Sequence, residues 1–145
     1  MAIYMLSLDA LLELADANHE VFTFVPHGTN ETMLFNATKI RKHCEENPDD
    51  VTRSMVVVHQ QMIDQIVNRG GCEEAKVMRL FTRPDIWTQP VIYLDMEDGT
   101  HVLCDGNHRF IIQVVMFGAP MIDSYLVPKK VWEKYVLPLR IGGVT

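Results

Sequence analysis

Two Asp-Gly pairs in the second half of the chain limit most strictly what this sequence can fold into. Asp-Gly is a strong signal for a sharp turn, because glycine adopts positive φ angles without a steric penalty. The pairs separate three apolar segments. The pairs are Asp98-Gly99 and Asp105-Gly106, and the segments are 91–96, 101–104 and 108–117. The first two segments predict the strands of a hairpin, and the third predicts a largely buried helix.

The residues after this helix predict another strand and a last helix. Gly118 ends the buried helix, and residues 121–127 have the composition of a strand. Pro128 precedes an amphipathic helix over residues 129–136. The order strand, strand, helix, strand indicates an α+β fold with a mixed sheet flanked by helices.

The first 79 residues predict an additional, mostly helical half with two short strands. Its helical segments have apolar residues at helical spacing, and its strands are bounded by turn-forming residues. The predicted helices are Ser7–Ala17, Asn36 or Thr38 to Glu46, and Arg53–Arg69, and the strands are His19–Val25 and Met33–Phe35. A length of 145 residues fits one domain, with residues 1–79 extending a core formed by residues 80–145.

The polar run after the second hairpin strand has the properties of an anion-binding turn. Asp105, Gly106, Asn107, His108 and Arg109 stand between an apolar strand and an apolar helix. The first turn of a helix presents unpaired backbone N–H groups and a partial positive charge, which together attract anions. The run therefore predicts an anion site, although the same residues also suit a simple turn and helix cap.

Each side chain of this run suggests a chemical role. Arg109 offers the planar pair of donors that suits phosphate. His108 can donate a hydrogen bond or transfer a proton near neutral pH. Asp105 could orient either of them, act as a base, or hold a Mg²⁺ ion that accompanies a nucleotide. Asn107 could cap the helix or contact the ligand.

The second half of the chain resembles the ParB/sulfiredoxin-like superfamily. The matching stretch covers about residues 80–128 and contains P-V-I-Y-L-D, D-G-T-H-V-L-C-D-G-N-H-R-F and F-G-A-P-M-I-D-S-Y-L-V. Members of this superfamily show a hydrophobic strand, a turn of the D-G-x-H-R or G-x-x-R type, a helix, a glycine and a following strand. The resemblance implies the ParB-type fold for this half, whereas residues 1–79 carry no match.

This resemblance implies a nucleotide-binding corner. In the superfamily the turn and the helix start hold the phosphates of ATP, ADP or CTP together with Mg²⁺. Carried onto this chain, Gly106, Asn107, His108 and Arg109 would contact the phosphates, and Asp105 would be the acidic, Mg²⁺-binding member. The resemblance thus predicts a nucleotide-binding protein with phosphotransferase or NTP-hydrolase activity, in which Asp105, His108 and Arg109 would be catalytic.

The cysteines argue against the chemistry of the sulfiredoxins themselves. Those enzymes carry a reactive cysteine in the motif G-G-C-H-R, where this chain has Asn107. Cys104 lies three positions earlier, at the end of a predicted strand, and we expect its thiol to be buried. Three cysteines without a C-x-x-C pair indicate reduced thiols rather than disulfides or a zinc site.

Two other classes of function stay open. One is a ParB-type metal-dependent DNA endonuclease, although 19 acidic against 13 basic side chains disfavour DNA as a partner. The other is a non-catalytic phage or mobile-element protein that binds a host protein, or a second copy of itself as a homodimer.

No apolar run reaches the roughly 18 residues of a membrane span, so no membrane partner is predicted. The N-terminus lacks the basic start of a signal peptide, which predicts a cytoplasmic location.

Overall fold

The structure, a computed structural model, describes residues 3–6, 20–25, 32–69, 73–137 and 139–142. The helix predicted at Ser7–Ala17 lies outside the described residues, and so does Cys72.

Strands and helices are interspersed along these residues. The strands are β1 (Ile3–Leu6), β2 (Val21–Phe24), β3 (Met33–Asn36), β4 (Thr52–Val57), β5 (Val91–Asp95), β6 (His101–Asp105), β7 (Met121–Val127) and β8 (Leu139–Gly142). The helices are α1 (Ala37–Glu46), α2 (Gln60–Arg69), α3 (Glu74–Phe81), α4 (Pro84–Trp87), α5 (Asn107–Phe110) and α6 (Lys129–Trp132), with single 3₁₀ turns at Pro48–Asp50 and Glu133–Tyr135. The α5 helix continues directly into a π-helical segment, Ile111–Met116, and we call residues 107–116 the site helix.

A four-stranded mixed sheet organises the fold, with the strand order β4-β7-β5-β6. Strand β7 pairs antiparallel with β4 and parallel with β5, and β5 pairs antiparallel with β6. A parallel pair needs a crossover connection, which β6 and the site helix provide between β5 and β7. Two smaller antiparallel pairs, β1 with β8 and β2 with β3, complete the strand pairing. This is the α+β arrangement with a mixed sheet and flanking helices that the sequence predicts.

The central strand β5 is covered on both faces, because its alternate side chains enter two different apolar clusters. Ile92 and Leu94 pack with residues of α1, α6 and the β2–β3 hairpin. Val91 and Tyr93 pack with residues of the site helix and α2. The sheet is therefore the middle layer between α1 on one face and the site helix on the other.

The elements of the second half of the chain agree closely with those predicted from the sequence. The predicted hairpin is formed by β5 and β6, and Gly99 has a φ of +87° in the turn between them. The predicted helix and the strand after it correspond to the site helix and β7, with Gly118 at a φ of +69° between them. The last predicted helix is shorter, because α6 gives way to a 3₁₀ turn after Trp132.

The hairpin and helix predicted for residues 19–46 are confirmed. Strands β2 and β3 pair with each other inside or close to the predicted segments. Helix α1 begins after Asn36, whose side-chain Oδ1 accepts a hydrogen bond from the backbone N–H of Lys39 at 3.1 Å. This is an N-cap interaction, which explains why the sequence marks the start of the helix so well.

The helix predicted over Arg53–Arg69 is wrong in its first part. Thr52–Val57 is strand β4, and helix α2 begins at Gln60. The β-branched run at residues 56–58 favours a strand, and this preference outweighs the partly helical spacing of the apolar residues. Because β4 joins the four-stranded sheet, the described part of residues 1–79 completes the core sheet instead of only adding helices to it.

Two of the three cysteines lie in the core as reduced thiols, as predicted. Cys44 on α1 and Cys104 on β6 are buried and form no disulfide. Burial raises the pKa of the Cys44 thiol to about 11, and burial also raises the pKa of Cys104. Neither thiol is thus available as a nucleophile at neutral pH.

None of the helices in the described ranges has the length and apolar character needed to cross a bilayer.

Candidate functional site

The predicted polar run opens onto a cavity of about 370 Å³. It lies where the end of β6 and the start of the site helix meet α1, α3 and α4. The cavity is lined by Glu20, Thr38, Arg41, Leu80, Ile86, Asp105, Gly106, His108 and Arg109. Its volume is within the range of small-molecule binding sites, about 300–1,000 Å³.

Gly106 forms the sharp corner between β6 and the site helix. Its φ is +102°, a conformation that residues with a side chain rarely adopt. A Cβ atom at this position would lie 2.7 Å from Cγ1 of Val91 on the neighbouring strand. The corner therefore needs glycine both for its backbone angle and for its close approach to β5.

Arg109 lines the cavity and has an unused hydrogen-bond donor. Its Nη1 atom is buried and has no hydrogen-bond partner among the described residues. Burial, followed by the nearby positive charge of Arg41, lowers the pKa of Arg109. A guanidinium keeps its charge at neutral pH, so this is a buried, charged donor without an acceptor. An unsatisfied buried donor is costly, and a site for an anion is a physical reason to keep one.

Asp105 does not pair with Arg109, which was one alternative from the sequence. Its Oδ2 atom accepts a hydrogen bond from Nε of Arg41 at 2.5 Å. Nη2 of Arg41 also donates to the backbone carbonyl of Pro90 at 2.8 Å. Both side chains are mostly buried, with exposed fractions of 14% for Arg41 and 16% for Asp105. The carboxylate is thus held by a side chain of α1.

His108 is held as a neutral imidazole. The backbone N–H of Glu73 donates to Nε2 of His108, with a distance of 3.3 Å between the nitrogens. Burial, followed by the charge of Lys76, lowers the pKa of His108. With its Nε2 lone pair occupied, the neutral ring carries its proton on Nδ1. This arrangement favours the role of donor over that of general base.

The lowered pKa of His108 predicts a pH-dependent stability. Below pH about 6.5 the unfolded chain binds a proton that the folded imidazole resists. The contribution of the neutral imidazole is therefore complete above this pH and is lost as the pH falls towards the lower, folded-state pKa. We expect the free energy of unfolding, measured by urea denaturation, to fall more between pH 7.5 and 5 for the wild type than for His108→Gln. Equal pH dependence in the two proteins would contradict this.

The structure brings four of the five predicted residues to the cavity and leaves one away from it. Asp105, Gly106, His108 and Arg109 line the cavity, and Asn107 does not. Asn107 does not cap the helix either, since Gly106 occupies the N-cap position. Its Oδ1 atom is buried without a hydrogen-bond partner in the part of the chain that the structure describes.

Sequence reasoning missed the residues that the N-terminal half contributes. Arg41 and Thr38 lie on α1, and Glu20 stands next to them, where its backbone N–H donates to Oγ1 of Thr38 at 2.8 Å. No local motif marks these residues, because Arg41 and Asp105 are 64 positions apart. The N-cap at Asn36 fixes where α1 starts, and this was the one available signal for the placement of Arg41.

The Mg²⁺ implied by the resemblance fits this site only as the companion of a nucleotide. No group of three or more His, Cys, Asp or Glu side chains suited to a metal ion exists within the described residues. Mg²⁺ that accompanies a nucleotide needs only one or two carboxylates together with the phosphates and water. Asp105 is the residue that would hold it, through the oxygen that Arg41 leaves free.

A larger cavity in the described part of the chain is not a better candidate. A cavity of about 560 Å³ lies between α2 and the sheet, with Tyr93, His101 and Ser124 in its lining. Two buried side-chain atoms lack a hydrogen-bond partner in the described ranges, Oδ1 of Asn107 and Nη1 of Arg109. Both belong to the site helix, and neither residue lines this larger cavity. The smaller cavity is preferred because an unsatisfied buried charge indicates a ligand more directly than volume does.

The chain matches no known protein-family model, no curated protein and no solved structure. Its function is accordingly inferred from the chemistry of the cavity and from the resemblance of residues 80–128.

Proposed function

We propose that this protein binds the phosphate groups of a nucleotide in the cavity at Asp105–Arg109. The single observation that carries the proposal is the buried Nη1 atom of Arg109, which faces no acceptor in the described residues. Phosphate oxygens supply the acceptor and the negative charge that this donor lacks. The resemblance to the ParB/sulfiredoxin-like superfamily favours a nucleotide, such as ATP, ADP or CTP, among the anions that could do so.

The charges around the cavity support an anionic ligand. Arg41 and Asp105 form an ion pair, so their charges largely compensate each other. Arg109 contributes a further positive charge that no described side chain pairs with, and Glu20, the other acidic residue of the lining, is exposed to solvent. Solvent screens an exposed carboxylate more strongly than a buried guanidinium. Arg109 is therefore the arginine of this lining whose charge no ion pair compensates within the described residues.

The same geometry suggests how phosphoryl transfer or hydrolysis would proceed. Arg109 would stabilise the charge that develops on the transferred phosphoryl group, and His108 would donate a hydrogen bond from Nδ1. Asp105 would hold Mg²⁺ against the phosphates, which supplies further charge stabilisation. Phosphoryl transfer depends mainly on positioning and charge stabilisation, which are the two properties that this cavity offers.

A thermal-shift screen with ATP, ADP, CTP and GTP, with and without Mg²⁺, tests the proposal. At 100 times its Kd a ligand stabilises the folded state by about 2.7 kcal/mol. In a domain of this size that corresponds to a rise in melting temperature of roughly 5–10 °C. We expect at least one nucleotide to give such a rise, and we expect Arg109→Ala to abolish it.

The matched control is Arg53→Ala. Arg53 is also an arginine, but it lies on β4, is exposed, and pairs with Asp123. We expect this variant to keep the full nucleotide-induced shift. A shift that survives in Arg109→Ala would contradict the assignment of the site, and the absence of a shift with every nucleotide would contradict the proposed function.

A second function of a different class has its own support. Phe117 stacks on Phe81 and on Trp87, with ring centroids 6.0 and 5.4 Å apart, and is nevertheless 59% exposed. The nearby Met78 and Met116 are exposed as well. Exposed apolar patches often mark protein-binding surfaces, so we propose protein binding as the alternative. Protein binding is favoured if no nucleotide shifts the melting temperature. Nicking of a plasmid in the same buffers would instead favour the endonuclease.

A further inference from the structure

The ion pair between Arg41 and Asp105 bridges two elements that are distant in sequence. Arg41 lies on α1 and Asp105 ends β6, and the two elements are fixed to each other by packing in one apolar cluster that includes Cys44 and Cys104. Arg41 uses two donors in this bridge, one to the carboxylate and one to the carbonyl of Pro90. The orientation of the Asp105 carboxylate is therefore set by α1 and by the start of β5.

Arg109 is the second arginine in the lining of the cavity that contains this carboxylate. Both side chains line one cavity, and the negative charge of Asp105 acts on Arg109. A partly buried arginine with a free donor and a carboxylate in the lining of the same cavity would ordinarily form an ion pair, because each would compensate the charge of the other. In this structure the carboxylate is engaged by Arg41 and Nη1 of Arg109 stays without a described partner.

We infer that Arg41 is a positioning residue that reserves Arg109 for the ligand by holding Asp105 away from it. The inference rests on the proposed function, since it assigns a task to Arg41 within the same anion site. Arg41 acts here through Asp105 and not as a direct phosphate ligand. Loss of Arg41 would release the carboxylate to pair with Arg109, and the internal carboxylate would then exclude the incoming anion.

Binding of inorganic pyrophosphate to the full chain, measured by calorimetry without Mg²⁺, tests this role of Arg41. We expect Arg41→Met to weaken binding by at least about 10-fold, because the Asp105 carboxylate then pairs with the Arg109 guanidinium. Asp105→Asn should tighten binding, since the competing negative charge is gone. The double variant Arg41→Met with Asp105→Asn should recover at least the wild-type affinity. If Arg41 touched the ligand directly, the double variant would stay weak, and this result would overturn the inference.

A crystal structure of the ligand-free Arg41→Met variant separates positioning from a general effect of charge. We expect the Asp105 carboxylate to lie within hydrogen-bond distance of the Arg109 guanidinium. A carboxylate that stays where it is in the wild type would overturn the inference even if affinity falls. Should Arg41→Met not fold, Arg41→Lys serves the same comparison, because lysine keeps the charge but cannot bridge Asp105 and Pro90 with a rigid fork.

Arg53→Met is the matched control for net charge, because it breaks an Arg–Asp pair on the exposed side of β4. We expect its pyrophosphate affinity to stay within about 2-fold of the wild type. The two proposals fail in different ways. If the wild type binds neither pyrophosphate nor any nucleotide, the proposed function is wrong and the inference fails with it. If the wild type binds and the Asp105 carboxylate keeps its place in the Arg41→Met crystal structure, only the inference is wrong.

Discussion

Replacement of Gly106 with alanine is expected to lower the free energy of unfolding by about 2–5 kcal/mol. Two costs add up at this position. A side chain at a φ of +102° strains the backbone by roughly 1–2 kcal/mol. The new Cβ atom would also lie 2.7 Å from Cγ1 of the buried Val91, and overpacking of this kind costs about 1–3 kcal/mol. Urea denaturation of the variant and the wild type measures the difference.

Gly99→Ala is the control for this prediction. Gly99 also has a positive φ, at +87°, but a Cβ atom added there would meet nothing within 4 Å. Only the backbone cost applies, so we expect a loss of about 1–2 kcal/mol. Val91→Ala removes Cγ1, the nearest of the three Val91 atoms that the new Cβ would meet, while Cβ and Cα of Val91 stay at 3.0 and 3.2 Å. The double variant should therefore be less destabilised than the sum of the two single variants. Additive losses, or equal losses at the two glycines, would contradict the close approach.

The corner at Gly106 could be predicted from the sequence because all of its determinants are local. An Asp-Gly pair, a preceding apolar strand and a following apolar helix lie within about fifteen residues of one another. The turn, the hairpin before it and the direction of the site helix follow from backbone preferences that act over this distance. The structure adds the contact with Val91, which depends on strand pairing that a single sequence does not reveal.

The role of Arg41 could not be predicted, because it depends on tertiary packing. Nothing near position 41 distinguishes this arginine from other helix-surface cations. It becomes part of the site only because α1 packs against the sheet through its own buried residues, such as Ile40 and Cys44. The error at β4 has the same origin. Apolar side chains at residues 55–56 satisfy a helical pattern locally, but pairing with β7 makes the segment a strand.

The site helix could be predicted from the sequence only in part. Its position and its buried face were predictable from its apolar residues, whereas its π-helical part was not. In this part the backbone N–H of Phe117 donates to the carbonyl of Ile112, five residues earlier, at 3.1 Å. The wider turns alter which side chains face the sheet, and π-helical segments often occur at functional sites. The helix nonetheless needs a firm anchor if it is to hold Arg109 and His108 in the cavity.

Phe110 is this anchor, and its replacement with alanine is expected to give the largest loss of stability, about 3–5 kcal/mol. Its side chain is fully buried and packs in the cluster that contains Val91, Tyr93 and Leu103 of the sheet. Removing the ring loses its transfer free energy and leaves a cavity that the surrounding strands can only partly fill. Because Arg109 is the preceding residue, a shift of the helix would also displace the guanidinium from the cavity.

Phe117→Ala is the matched control, since it removes the same side chain near the other end of the same helical segment. Phe117 is 59% exposed and contacts Phe81 and Trp87 by ring stacking, so we expect a smaller loss of about 1–2 kcal/mol. In a thermal-shift assay, Phe110→Ala should also lower the nucleotide-induced rise in melting temperature, while Phe117→Ala should leave it intact. If both variants lost the same stability and the same nucleotide response, the site helix would not be anchored through Phe110, and the placement of Arg109 would need another cause.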